Sequence, residues 1–172
     1  MIHLALLALP QGVAGQTDLR PSSDVGVGLT RAGHGVGLGG KFSLRATPGV
    51  WGIGVRLMVM DGARRTILDC SVFCAPRESL RERSLLVYRR IDTPAGARLY
   101  LGAGVGRLTG RKFIGSSTDF DPNVREYGAS FEAAYYFART GDAISRFATT
   151  ANGHIGRGGA SIQLTIGFGL SG

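Results

Sequence analysis

Three observations predict an all-β fold, an eight-stranded antiparallel up-and-down transmembrane β-barrel. Large apolar residues alternate with small or polar ones along most of the chain, the alternating segments number eight, and tight joints alternate with long ones. The clearest segment runs from Ala160 to Leu170, where Ile162, Leu164, Ile166, Phe168 and Leu170 interleave with Ser161, Gln163, Thr165, Gly167 and Gly169. Successive side chains of a strand point to opposite faces, so this segment has one apolar face and one small or polar face. That pattern suits a half-buried sheet, and it equally suits a barrel whose apolar face meets lipid.

The 172 residues suffice for one domain with a core or a closed barrel. Glycine occurs 28 times, more than twice its ordinary share of roughly 7%. The glycines fall inside the alternating segments, without collagen triplets or a serine-glycine linker. After residue 15 no stretch stays apolar for the roughly 20 residues a membrane helix needs, so the mature chain does not span as a helix.

Residues 1 to 15 read as a signal peptide and 16 to 172 as the barrel domain. An apolar run from Ile2 to Leu9 precedes Val13-Ala14-Gly15, a small-residue pattern suited to cleavage. The run lacks a preceding Lys or Arg, which leaves a buried first strand or helix as the alternative. Strands are predicted over 22 to 31, 35 to 46, 50 to 60, 83 to 91, 97 to 108, 124 to 138, 142 to 151 and 160 to 170. Thr47-Pro48-Gly49, Thr93-Pro94-Ala95-Gly96 and Thr140-Gly141 supply tight turns, with proline fixing φ and glycine able to take positive φ. Longer polar joints are expected at 61 to 82, 109 to 123 and 152 to 159, with a short Ala32-Gly33-His34 joint near the start. In a meander this rhythm collects the long loops at one end, as in outer-membrane barrels.

The faces agree with that arrangement. The second segment sets Val36, Leu38, Phe42 and Leu44 against Gly37, Gly39, Lys41, Ser43 and Arg45. The third sets Trp51, Ile53, Val55, Leu57 and Val59 against Gly52, Gly54, Arg56, Met58 and Met60, and the fifth sets Leu99, Leu101, Ala103 and Val105 against Tyr100, Gly102, Gly104 and Gly106. The sixth opposes Tyr127, Ala129, Phe131, Ala133, Tyr135 and Phe137 to Gly128, Ser130, Glu132 and Ala134, with aromatics near both ends. Arg89 and Arg146 disturb the assignment in the fourth and seventh. Over roughly residues 22 to 170 the chain resembles the small eight-stranded outer-membrane barrels of the OmpA/OmpX type. The resemblance implies a bacterial outer-membrane location and recognition through long loops at one end. That family commonly ends in an aromatic residue, whereas here Ser171 and Gly172 follow Leu170.

On the small-residue face, Lys41, Arg45, Arg56 and Glu132 read as a structural charge network in a narrow, side-chain-filled lumen, in preference to a conducting or catalytic site. Gly35, Gly37 and Gly40 match a dinucleotide fingerprint, but a period-two strand follows where a helix is required. Gly49-Val50-Trp51 matches a lipocalin G-x-W, on the wrong strand and without a second motif. His154 reads as a surface-loop histidine, and no serine-histidine-acid set can be assembled. No catalytic residue, cofactor or metal ligand is expected.

The charge is +8, and Arg64, Arg65, Arg77 and Arg81 lie in the expected 61 to 82 loop. Outer-membrane lipid or lipopolysaccharide phosphates, or an acidic protein partner, are the expected contacts. No basic run is interleaved with stacking aromatics, so nucleic acid is not. The expected function is a non-enzymatic structural or surface-interaction role. The alternative is a soluble exported lipocalin-like barrel that binds a small apolar ligand, because alternation alone does not tell which face meets lipid. In the same loop Cys70 and Cys74 most simply form a disulfide, since a metal site would want further ligands nearby. Reduction should therefore raise the mass of the protein by about two daltons; an unchanged mass would show two free thiols.

Overall fold

The computed structural model describes residues 19–32, 35–64, 79–113, 120–138, 145–157 and 159–171. They form eight strands: β1 (Leu19–Ala32), β2 (Gly35–Pro48), β3 (Trp51–Arg64), β4 (Ser79–Asp92), β5 (Arg98–Phe113), β6 (Phe120–Tyr136), β7 (Ser145–Gly156) and β8 (Gly159–Ser171). Each pairs antiparallel with its sequence neighbours, and β8 returns to β1 to close the barrel. The seam sets Val25 opposite Phe168 and Leu29 opposite Leu164, so apolar residues meet across the join.

The register gives the barrel its tilt. From Gly26, one path of paired residues passes Lys41, Met58, Glu82 and Leu108 to Glu126. The opposite path passes Gly167 and Ala148 and reaches β6 at Tyr136, ten residues further along. Such a stagger is what closing a sheet demands, because the strands must incline to the barrel axis.

The alternation fixes the faces. Leu164, Ile166 and Phe168 are 59%, 54% and 61% exposed, whereas Gln163 is fully buried. Val25, Val27 and Leu29 of β1, Ile53 and Val55 of β3, and Leu85 and Val87 of β4 likewise face outward. A soluble lipocalin-like barrel turns these residues inward, so the soluble alternative is overturned by the direction of the side chains. Near the tight turns a chain of outward aromatics runs from Tyr135 to Phe137 (5.0 Å), Phe147 (5.4 Å) and Phe168 (5.9 Å). This is the girdle position of membrane barrels. Arg89 lies at the same end, facing outward with its guanidinium 5.8 Å from the Trp51 ring, and Arg146 faces inward.

Turn chemistry acts where positive φ is required. Gly49 (φ 80°) ends the β2–β3 hairpin and Gly96 (φ 79°) the β4–β5 turn, where the Thr93 amide donates to Ala97 O at 2.9 Å. The third expected turn, Thr140-Gly141, lies outside the described residues. All three long joints are shorter than the sequence predicts: β5 runs to Phe113 and β6 starts at Phe120, inside the expected 109 to 123 joint. β3 and β4 extend into the expected 61 to 82 loop, and β7 continues to Gly156 with β8 starting at Gly159, so 152 to 159 is a tight hairpin. Glu82, Asn152 and His154 in these stretches take inward-facing strand positions, whereas Asp61 and Arg81 face outward.

Ile166 sits near the middle of the outward apolar band. Ile166→Arg should destabilise the barrel in lipid vesicles by about 2–4 kcal/mol, measured by urea unfolding; an unchanged midpoint would argue that this face does not meet hydrocarbon.

Candidate functional site

The inward side chains converge on a network of ion pairs between the two halves of the lumen. β2 contributes Lys41, Ser43 and Arg45 at alternate positions, and β3 contributes Arg56. Glu132 of β6 sits among them: Lys41 Nζ lies 3.3 Å from its Oε1, Arg45 Nη2 also pairs with Oε1, Ser43 Oγ donates to Oε2 at 3.2 Å, and Arg56 Nη1 is 3.8 Å from Oε2. Two further acids complete the set. Asp24 of β1 takes Lys41 Nζ at 2.7 Å and Arg45 Nη1 at 2.6 Å, and Glu82 of β4 takes Arg56 Nη2 at 2.7 Å.

The sequence reading placed a single acid among these bases. The structure matches Lys41, Arg45 and Arg56 with Asp24, Glu82 and Glu132, all buried. Glu82 was missed because its polar surroundings read as loop. The period-two phase of Leu80, Ser84 and Leu86 on the same buried face was the signal that could have placed it.

Aromatic rings and apolar side chains bracket the charges. The Arg45 guanidinium lies 5.0 Å from the Tyr88 ring, 5.2 Å from Tyr100 and 5.7 Å from Tyr136, and Tyr136 donates its hydroxyl to Asp24 Oδ2. Tyr88 fits there because Gly102 opposite it lacks a side chain; a Cβ at Gly102 would meet its ring. Toward the loop end, Met58, Met60, Leu80, Leu108 and Val124 form an apolar cluster. The three cations pair with the three carboxylates, and Arg45, Arg56 and Glu132 are no more than 3% exposed. A water-filled bore would leave such lining residues accessible.

His154 is corrected from a surface-loop residue to a lumen residue of β7, fully buried because the strand runs past it. Its Nδ1 lies 3.2 Å from Ser130 Oγ and 3.7 Å from Glu82 Oε1, and Ser130 donates to that same carboxylate oxygen at 2.6 Å. Serine, histidine and acid therefore meet, but not as a triad. A triad sets the acid on one ring nitrogen and the serine on the other, whereas here both address Nδ1 and Nε2 has no hydrogen-bond partner.

The expected recognition residues are divided. Arg64 is the last residue of β3; Arg81 is exposed on β4 and so does not belong to the loop; Arg65, Arg77, Cys70 and Cys74 lie outside the described residues, as do 1 to 15. Among the described residues, no group of three or more His, Cys, Asp or Glu side chains is placed to hold a metal ion.

No protein-family model and no curated protein matches the chain. Solved structures do. Neisserial surface protein A is similar at 14% identity and a TM-score of 0.61 over 88% of this chain and 96% of that one. Ail, the attachment invasion locus protein of Yersinia pestis, is similar at 13% identity and 0.59 over 90% and 99%, and has also been solved with the heparin analogue sucrose octasulfate. The N-terminal β-barrel domain of Pseudomonas aeruginosa OprF follows at 14% and 0.57 over 91% and 98%. The closed meander, the apolar outer surface and these likenesses together give the chain the fold of the small eight-stranded outer-membrane β-barrels.

Proposed function

We propose that this protein is a non-enzymatic barrel of the bacterial outer membrane that acts through its outer surface and loop end, its lumen serving as a structural plug. The observation that carries this reading is the burial of a mutually paired charge network, Lys41, Arg45 and Arg56 against Asp24, Glu82 and Glu132, beneath an outward apolar surface. An interior sealed in this way offers a substrate no route to Ser130 or His154. Function then falls to the exterior.

The polarity of the ends supports the same reading. The Gly49 and Gly96 turns lie at one end and the 65 to 78 connection at the other, beside the short β1–β2 and β7–β8 joints, and outer-membrane barrels direct their longer loops outward. Arg64, Arg65 and Arg77, with Arg81 at the strand rim, suit contact with anionic groups such as lipopolysaccharide phosphates or an acidic protein partner. The Ail structure with a sulfated saccharide is a parallel for a barrel of this fold that takes an anion. In this reading residues 1 to 15 direct export, and a Cys70–Cys74 disulfide stiffens the loop.

Planar-bilayer recordings of the refolded protein should give no porin-sized steps; sustained currents of that size would refute the plug. Glu132→Gln keeps the side-chain volume and removes the carboxylate that three cations share. It should cost about 3–5 kcal/mol in vesicle-reconstituted unfolding, and a neutral effect would mean that the lumen is hydrated enough to screen the cations.

A further inference from the structure

The outer surface is apolar over most of its area, yet one flank near the loop end carries arginines in two rows. In the first, Arg83 of β4 stands directly opposite Arg107 of β5, which stands opposite Tyr127 of β6. In the second, one step closer to the loops, Arg81 is opposite Thr109 and Thr109 is opposite Arg125. The four arginines and Tyr127 are exposed, and the Arg107 guanidinium lies 5.7 Å from the Tyr127 ring. Immediately beneath the first row, Leu85 is opposite Val105 and Val105 opposite Ala129, so the arginines stand at the upper edge of the apolar band.

Like charges set directly across a strand pair destabilise a sheet. Among the described residues none of the four arginines has a carboxylate partner; outside the lumen, the ion pairs join Arg90 and Arg98 to Asp92 at the turn end. The repulsion is thus left for something outside the described chain to relieve. Elsewhere on the same rim Val36, Leu38, Ile155 and Ile162 keep the surface apolar, and Arg31 stands opposite Val36 and Ile162 without a second arginine across the pair.

We infer that Arg81, Arg83, Arg107 and Arg125 form a binding site for the phosphates of an outer-leaflet lipid, whose acyl chains lie along Leu85, Val105 and Ala129. The guanidinium fork matches a phosphate oxygen pair, and four forks in two adjacent rows suit a lipid with more than one phosphate better than a singly charged headgroup. Thr109, whose hydroxyl donates to Arg81 O at 3.3 Å, spaces Arg81 from Arg125, and Tyr127 holds Arg107 toward the headgroup layer. The site rests on the membrane reading above and deepens the anion contact proposed there, with which it shares Arg81, by moving it from the loop to the β4–β6 strand surface.

The test uses the full chain in phosphatidylcholine nanodiscs, with heat-modifiable migration as an independent check of insertion. Bis-phosphorylated lipid A is titrated against mono-phosphorylated lipid A, phosphatidylglycerol and soluble pyrophosphate. Bis-phosphorylated lipid A should bind most tightly, and Arg83→Gln/Arg107→Gln should weaken it roughly tenfold or more. Arg31→Gln/Arg157→Gln, which removes the same charge elsewhere on the exposed surface, should change it by less than about twofold. Equal weakening by both pairs, no preference over phosphatidylcholine alone, or equally tight pyrophosphate binding would overturn the site. Should the double variant fail to insert, Arg83→Gln and Arg107→Gln are compared singly by the same titration. A chain that failed the insertion check in every lipid would instead refute the membrane reading.

Discussion

Hydrocarbon offers no partner to a backbone amide or carbonyl, so a strand that crosses a bilayer must find every partner in another strand. The β1–β8 seam meets that demand here. Without the pairing of Ser22 through Ala32 with Ser161 through Ser171, two edges would lie unpaired in lipid. Closure in turn sets the stagger between Glu126 and Tyr136 and hence the inclination of the strands. It also confines half of all side chains to a bore of fixed width.

That confinement explains the composition of the lumen. Inward positions must fill a narrow volume, so glycine at 102 makes room for Tyr88, and long cations reach across the bore to acids on distant strands. Arg45 illustrates the arrangement: its β2 position places it within reach of β1 and β6 acids and three tyrosine rings at once. Buried ion pairs seldom add net stability over an apolar filling, because desolvation consumes much of the attraction. What they contribute is a requirement for the correct neighbours, since a shifted register would strand a charge in a site without water.

The outer surface obeys the opposite rule. Lipid rewards apolar residues and penalises charge near the midplane, so the interior of the band is Val, Leu, Ile and Phe, with aromatics toward the tight turns and arginines on one flank toward the loops. The two faces thus read as one alternating pattern with inverted meaning. Polarity marks the core and greasiness marks the exterior. Reading polarity as a sign of exposure is what misassigned Asn152, His154 and Glu82.

The sequence by itself determined the strand count, the order of the meander, the outward face of each clear strand and the pairing of the last strand with the first, because period-two alternation and turn residues are local properties. It placed Lys41, Arg45, Arg56 and Glu132 on one face for the same reason. Only the tertiary structure decided how far β4 and β7 extend, that Asp24 and Glu82 balance the cations, and that Arg83 and Arg107 face each other across a strand pair. The phase of Leu80, Ser84 and Leu86 carries a trace of the inward place of Glu82, but the pairings depend on register across the barrel, which brings together residues far apart in the chain and leaves no trace in the spacing along it.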